Sequence, residues 1–451
     1  MIQSLFIEYI DKYFKPIIQR VVELINGKKE EEALLYKQML TPEYSADLKW
    51  GTKEINRSIV AADVVSMESS LPLKKRDTIS IATGDIPKLG MKLRKGEKTI
   101  KDIQIMQAAG ASEAQVAQKI FEDTPKVIKG IEVRKEIMFL EALSSGTTLI
   151  EDDTNTGTGI RVDFGYRSSN TLSSATPWGI GSYTPEDDMQ SVFDKADTDG
   201  NTIALVMMSK KYFNYFKNST QGKMIYANYA GIIYTNTANL PIPGTAQFIG
   251  ALEDKFGCKF RIVNSSFRVE KNGTQTSIKP WTEQNIVFLY DGTNVGRLVY
   301  GTCAEHNNHV EGVRYETAEQ GTLVSKYSRT DPLEEFTAAQ AIALPVIDGV
   351  ESIYLLEAAK GNIVVSPTSL SFTKAADSTG KTVTATTNAS TVTATVPEAA
   401  SWLTATESGK VITFTVAANS AASAPERSAD VIITDANGAT ATITVTQAAN
   451  S

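Results

Sequence analysis

The stretch LEAAKGNIVVSPTSLSF, residues 356–372, decides the fold, because the character of the chain changes within it. Beyond Ala358 the composition becomes dominated by Thr, Ala, Val and Ser. Short alternating runs follow, at Ser369–Phe372, Thr382–Thr386, Thr391–Val396, Val411–Val416, Asp430–Thr434 and Ala441–Thr446, each bounded by turn residues. Alternation with period 2 is the signature of strands with one buried face. Asn437-Gly438 between the last two runs is a strong hairpin turn. So many short strands in the 89 residues 363–451 predict an all-β sandwich. Its only large aromatics, Phe372, Trp402 and Phe414, are the expected core of that sandwich. Residues 358–362 read as a linker.

Upstream, residues 1–357 mix helix and strand patterns without a βαβ rhythm, which predicts an α+β core. Phe6, Tyr9, Ile10, Tyr13, Phe14, Ile17, Val21 and Leu24 recur every three to four residues and mark one apolar helical stripe. Pro16 is expected to divide or kink that helix. The stripe must bury against its own domain or against a neighbouring subunit, and Phe6 and Tyr13 are candidates for the second role. Residues 45–85 alternate apolar and polar, as at Ile55, Ile59, Val64, Val65 and Ile79-Ser80-Ile81. A basic run overlaps and follows: Lys74, Lys75, Arg76, Lys88, Lys92, Arg94, Lys95, Lys98 and Lys101. Gly84, Pro87, Gly90 and Gly96 punctuate it, so it reads as an extended loop or hairpin rather than a helix, over about 74–101. Such a loop is costly to order alone. Lys88, Lys92, Arg94, Lys95 and Lys98 are therefore candidates for contact with an acidic surface of another subunit.

The helix signals are sharpest in the middle. Ser112 with Gln115 three residues on is a capping-box pattern. After Pro125, the run Val127–Leu143 places Ile131, Ile137, Met138, Leu140 and Leu143 on a helical face and stops at Ser144-Ser145-Gly146, giving a long helix over about 127–145. Glu151–Tyr166 alternates as a strand. Further on, Pro185–Asp197 and Ser209–Lys217 read as helices, and Thr202–Met208, Ile286–Tyr290 and Ser352–Leu356 as strands. Leu240-Pro241-Ile242-Pro243-Gly244 reads as a loop. Thr330-Asp331-Pro332-Leu333-Glu334-Glu335 opens an expected helical run through Ala339.

Chemistry is harder to find. The net charge of −7 favours solubility over a grip on a polyanion. Two cysteines, Cys258 and Cys303, are too few for a disulfide framework and read as reduced thiols. No secretion signal or membrane-length apolar run is found, so synthesis in the cytoplasm and no membrane partner are expected. Gly157-Thr158-Gly159 lacks the third glycine of a dinucleotide fingerprint, and no Walker or nucleophile-elbow pattern occurs. Asp194–Gly200 and Glu151-Asp152-Asp153 fail the spacing of a calcium loop. Cys303, His306 and His309, with Cys258 as a conceivable fourth ligand, have zinc-type chemistry. Seven residues cannot easily aim three ligands inward, however, so surface histidines are expected. The reading is no enzyme, no cofactor and no metal.

Several strings in order carry a resemblance. They are the N-terminal arm (about 1–45), Ile86–Arg94, the helix ending near Gly146, Val162-Asp163-Phe164-Gly165 and Ala175-Thr176-Pro177-Trp178. Val206-Met207-Met208-Ser209 with Tyr212-Phe213, Ser328–Glu334, Leu344-Pro345-Val346 and Ile353-Tyr354-Leu355 complete the set. Together they make residues 1–357 resemble tailed-phage major capsid proteins of the Hong Kong 97-like fold, in particular the lambda-type family. That resemblance implies a subunit of hexamers and pentamers, with the basic segment as an extended loop over a neighbour and the long helix as a spine. Axial and peripheral domains would come mostly from 200–345. It also implies portal and scaffolding partners, an icosahedral head enclosing double-stranded DNA without specific binding, and a place in the virion after assembly in the host bacterial cytoplasm.

Ser366–Phe372, Ser401-Trp402-Leu403-Thr404, Val416–Ser420, Arg427–Val431 and Ile443–Gln447 resemble, in order, the BACON domains, which are immunoglobulin-like. This second resemblance implies host or mucin glycans as partners. Trp402 is read as core rather than sugar platform, so weak multivalent contacts are the expected mode. Two rival readings are an encapsulin-like nanocompartment shell and a surface glycan-binding protein, the latter disfavoured by the missing signal peptide.

Overall fold

A computed structural model describes the chain apart from residues 1–2, 28–33, 54–78, 150–160, 175, 234, 272, 360–362, 388, 390, 422, 437–438 and 451. The readings at Ile55, Ile59, Val64, Val65, Lys74, Lys75, Arg76, 151–160, most of the 358–362 linker and the Asn437-Gly438 turn therefore lie outside the described residues. The rest forms two compact units, one of 1–167, 264–282 and 289–353, the other of 168–263, 283–288 and 354–451.

The first unit is organised by one 15-residue strand, Leu333–Ile347. It pairs antiparallel with Lys88–Gly96, with Leu323–Thr330 and with Gly296–Gly301, and the sheet is extended by Leu40–Tyr44 and Arg314–Thr317. This corrects the helix expected over Thr330–Ala339. Asp331-Pro332 is a turn between two strands, not a helix start. Leu323–Thr330 pairs with it across that turn, and its other partners, Lys88–Gly96 and Gly296–Gly301, lie far away in sequence, where a local signature does not register them.

The 22-residue helix Thr124–Ser145 packs on this strand and ends at Gly146, whose φ of +74° admits glycine at low cost. The capping box of the helix Glu113–Phe121 forms as expected, with Ser112 and Gln115 satisfying each other's backbone groups. The N-terminal stripe is a single helix, Ile7–Asn26, that runs through Pro16. Pro16 lies on the exposed side, while Ile10, Phe14, Ile18, Val21 and Ile25 are buried. The missing N–H thus costs a bond at the solvent face and leaves the buried stripe intact.

The basic segment is also corrected. The expected loop over 74–101 contains the strand Lys88–Gly96 and the start of the helix Glu97–Ala108. Nine residues of that strand pair with the hub strand, from Gly96 opposite Glu334 to Lys88 opposite Ile342. Earlier in the chain, Lys49–Lys53 pairs antiparallel with Ile79–Asp85.

In the second unit, five strands lie in the order Thr171–Ser173, Tyr354–Glu357, Asn285–Leu289, Leu205–Ser209 and Lys259–Val263. The helices Pro185–Thr198, Lys210–Asn218, Thr220–Tyr229 and Thr245–Phe256 share a core rich in aromatics with this sheet, including Phe213, Phe216, Phe248 and Phe288. Ser209 and Ser219 cap the second and third helices, accepting from the Tyr212 and Gly222 amides at 3.4 and 2.9 Å.

Residues 363–450 hold a separate core between two four-stranded sheets. One sheet orders Val364–Ser366, Asp377–Thr386, Val411–Val416 and Leu403–Ser408; the other orders Ser369–Phe372, Thr440–Gln447, Arg427–Asp435 and Val392–Thr395. Inward residues alternate with Thr and Ser facing out, as in Thr404, Thr406 and Ser408 on one sheet and Thr393 and Thr395 on the other. The expected sandwich is present, with two strands, Val364–Ser366 and Leu403–Ser408, that the alternation had not marked.

Candidate assembly surfaces

Charged side chains in the first unit are spent on internal ties. On the long helix, Ile128, Glu132, Lys135 and Phe139 share one face by their spacing of four, three and four. Glu132 and Lys135 are buried there, 4% and 0% exposed. The Glu132 carboxylate accepts from Lys135 at 2.9 Å and from the Tyr36 hydroxyl, with Lys37 at 3.1 Å. Lys37 also pairs with Glu319 at 2.8 Å. Glu136, one position on, accepts from the backbone amides of Leu35 and Tyr36 at 3.0 and 2.9 Å, holding the start of the short helix Leu35–Met39. Burial pushes the Glu132 carboxyl up, but Lys135 and Lys37 outweigh it and hold the group below the usual carboxylate range. Burial depresses the Lys135 ammonium more than Glu132 restores it. Charged residues on an otherwise apolar helical face were the signal for this cluster, and the sequence reading passed over it.

Of the sequence candidates, Lys88, Lys92, Arg94 and Lys98 are exposed. Strand alternation puts Lys88, Lys92 and Arg94 on the outward face. Arg94 pairs with Glu334 at 2.6 Å, Lys92 lies 4.9 Å over the Phe336 ring, and Lys88 is 3.8 Å from Glu305. Lys95 belongs to the other face, with Leu89, Met91 and Leu93. It is 4% exposed and bonds Glu122 and Asp123, each at 2.8 Å, at the turn into the long helix. It is therefore withdrawn as a contact to another subunit, and period-2 alternation would have separated it.

Phe6 is withdrawn for a similar reason, being 5% exposed within its own chain. The arm is clamped here: Ser4 Oγ and the Leu5 amide donate to Glu335, and Ser328 Oγ donates to the Gln3 carbonyl at 2.5 Å. Beside Glu335, Lys326 is fully buried, donating to Thr337 Oγ1 at 2.8 Å with its ammonium 5.3 Å over Phe121. Burial holds Lys326 down to about 8, against the pull of Glu335. Tyr13 is half-buried beside Lys12, which pairs with Glu113 at 2.7 Å.

A third tie is Arg297. Its Nε and Nη2 donate to Asp348 at 2.6 and 2.9 Å, Nη1 to Glu43 at 2.8 Å, and Nη2 to the Gly51 carbonyl at 2.6 Å. It fastens the strand Lys49–Lys53 to the sheet through the Gly51 carbonyl.

The histidine cluster is spread out. Cys303 is buried, His306 is 3.3 Å from Thr317 Oγ1, and His309 stacks on Tyr315 at 4.7 Å. Among the described residues no three metal-ligating side chains converge. In the sandwich, Phe372 and Phe414 are 4% and 0% exposed, while Trp402 lies at the rim, half-buried. The Arg427 guanidinium covers the Trp402 ring at 4.6 Å and bonds Gln447 and the Ala417 carbonyl. That ring face is occupied and offers no stacking platform for a sugar.

These features describe a structural framework, an α+β body pinned by buried ion clusters and followed by a β-sandwich. The family model for phage major capsid protein E matches residues 33–356, and the chain belongs to that family. A second model, BACON, a binding-domain family, matches residues 390–448. No curated protein matches the chain.

Among solved structures, the chain is similar to a capsid protein of an Escherichia coli CFT073 prophage (14% identity, TM-score 0.46, covering 75% of this chain and 98% of that one). It is also similar to a phage-related protein of Bordetella bronchiseptica RB50 (11%, 0.43, 76% and 96%) and to an encapsulin of Synechococcus elongatus PCC 7942 (9%, 0.30, 75% and 94%). At these TM-scores the likenesses carry no argument, and the assignment rests on the family match.

Proposed function

We propose that this chain is the self-assembling subunit of an icosahedral phage head that encloses double-stranded DNA, with residues 1–357 as the shell and 363–451 as an appended surface domain. The observation that carries this reading is the capsid family match over residues 33–356. The net charge of −7 supports a wall that contains a polyanion without gripping it. The family match over residues 33–356 supports a structural rather than a catalytic role. Lys88, Lys92, Arg94, Lys98 and Tyr13 remain the candidates for contact between subunits, and portal and scaffolding proteins are the expected further partners.

The appended domain adheres weakly to host or mucin glycans. With Trp402 covered, contact falls to the Thr- and Ser-lined outer faces of the sheets, and many displayed copies convert weak contacts into avidity.

Electron microscopy of the purified recombinant full chain tests the reading. Closed shells bearing surface knobs are expected. A chain lacking 363–451 should still close into shells without knobs. Monomers and small oligomers alone would overturn the shell reading, and particles loaded with protein cargo instead of DNA in infected cells would replace it with a nanocompartment.

A further inference from the structure

Three Asn-Gly pairs occur in the chain, at Asn26-Gly27, Asn272-Gly273 and Asn437-Gly438. In such a pair the backbone nitrogen of the glycine reaches the asparagine side-chain carbonyl with least hindrance, because glycine carries no Cβ and leaves the backbone free to turn. At Asn26 the surroundings add to this. Asn26 is the exposed last residue of the helix Ile7–Asn26. Its Oδ1 accepts from the Lys37 ammonium at 2.7 Å, and its Nδ2 donates to Glu319 at 3.0 Å. Lys37 and Glu319 are themselves paired at 2.8 Å. A cation therefore sits on the oxygen that gains negative charge when the carbonyl is attacked, which is the placement of an oxyanion donor. The nucleophile is one hydrogen bond from release. The Gly27 amide donates to the Glu23 carbonyl at 2.8 Å, in a last turn of the kind that frays.

We infer that Asn26 is a self-modification site: its carboxamide is lost through attack by the Gly27 nitrogen, and the loss unfastens the end of the N-terminal helix. In the frayed turn the Gly27 N–H gives its proton to water and the nitrogen bonds to Asn26 Cγ, with Lys37 holding the charge on Oδ1. The Cγ–Nδ2 bond then breaks, and Nδ2 leaves as ammonia with a proton taken from water. A second water opens the succinimide ring at either carbonyl and the Gly27 nitrogen regains its proton, leaving aspartate or isoaspartate. In sum, one carboxamide and one water become one carboxylate and one ammonium. The product reverses a contact. Where Nδ2 donated to Glu319, a carboxylate faces a carboxylate, and like charges repel. The end of the helix, beside the buried Ile25, is fastened by this clasp, and only its Lys37 half survives.

Ageing the full-length protein in mildly alkaline buffer, with peptide mass spectrometry over time, tests the inference. Asn272 and Asn437 serve as internal clocks. Asn26 should convert to aspartate and isoaspartate. Lys37→Met should slow that conversion at least about threefold, the worth of one part-exposed charge contact, while both clocks keep their pace. Lys37→Arg, which keeps a cation, should restore most of the rate. A lysine that merely holds the side chain still would act in reverse, so faster conversion in Lys37→Met overturns the inference. An Asn26 that stays an amide after both clocks have turned over also overturns it. So does loss of ammonia with trypsin no longer cutting after Lys37, which would mean that the lysine had taken the carbonyl.

The consequence is read in full-length Asn26→Asp. Amide hydrogen exchange should quicken over the last turn, Val22–Gly27, and keep the wild-type pattern elsewhere. Unchanged exchange there overturns the unfastening.

Discussion

Replacing Glu132 by Gln removes one charge from the buried cluster on the long helix and leaves its shape. Lys135 lies 2.9 Å away and Lys37 3.1 Å away. At an effective dielectric of about 20 each pair attracts by roughly 5–6 kcal/mol, against a desolvation penalty of several kcal/mol for each ion. Once Glu132 is neutral, Lys37 keeps Glu319, but Lys135 is fully buried and, among the described residues, has no carboxylate within bonding distance except the one removed. The cost is capped, because Lys135 can shed its proton. Doing so at pH 7 from an ordinary pKa of about 10.4 costs about 5 kcal/mol. The expected loss is therefore about 3–5 kcal/mol, a large share of the stability of a typical domain. In urea unfolding of the unassembled chain, followed by circular dichroism, the midpoint of the first unit's transition should fall by at least about 1 M. In a Tyr36→Phe background, which removes the hydroxyl that donates to Glu132, the double variant Glu132→Leu with Lys135→Met should return to within about 1 kcal/mol of wild type, because neither an uncompensated charge nor an unpaired hydroxyl remains. The wild-type contribution also has a pH signature. The folded carboxyl lies below its ordinary range, so this stabilisation is present above about pH 4.3 and is lost as pH falls through the folded value. A single variant within about 0.3 M of wild type, or a double variant as weak as the single one, would refute this reasoning.

Lys326 gives the same sign of pH dependence at the alkaline end of the scale. Its folded pKa of about 8 lies below the unfolded value of about 10.4, so the unfolded chain binds the extra proton between them. Stability should rise by about 3 kcal/mol from pH 8 to about 10.4, and an otherwise identical urea series on Lys326→Met should lack that rise. Arg297→Lys keeps the charge but cannot reproduce bonds to Asp348, Glu43 and the Gly51 carbonyl together. A loss of about 2–3 kcal/mol, seen as a lower thermal midpoint, is expected. At Gly146, φ is +74° and an added Cβ would lie 2.6 Å from the Tyr166 ring. Gly146→Ala should therefore cost more than about 1 kcal/mol by the same melt.

What the sequence made legible were features written locally. The capping box at Ser112, the stop at Gly146 and the alternation of the sandwich strands depend on neighbours within a few residues, and each appears where expected. The failures share one physical cause. Glu334 and Glu335 look like the first turn of a helix, but they sit in a strand between partners some 240 residues upstream and a few residues upstream. Lys88–Gly96 looks like a loop because of its glycines, yet the same hub strand supplies its hydrogen bonds. Pairing of this kind is non-local, and no window of the sequence contains both partners. The candidate contacts divided accordingly. Lys88, Lys92 and Arg94 share the outward side of a strand, whereas Lys95 and Phe6 were taken inward by partners at Asp123 and in the arm's own docking site.

The three charged ties have a common placement that bears on why they are retained. Lys37, Glu132 and Glu319 join segments nearly 300 residues apart; Lys95 joins the basic strand to the start of the long helix; Arg297, held by Glu43 and Asp348, joins the strand Lys49–Lys53 to the sheet through the Gly51 carbonyl. Their net contribution to stability is modest, because desolvation offsets most of the attraction, and this is why the Leu/Met double variant in the Tyr36→Phe background should be nearly as stable as wild type. An apolar contact tolerates a shifted docking at small cost. A buried charge does not, since any docking that separates it from its partner leaves it unpaired in a low-dielectric site. Charged ties at junctions between distant segments therefore penalise wrong arrangements more than they reward the right one. A subunit that must present the same surfaces in every copy has use for that asymmetry. If it is why Glu132 and Lys135 are kept, the double variant in that background will match wild type in urea and still yield shells of less uniform diameter.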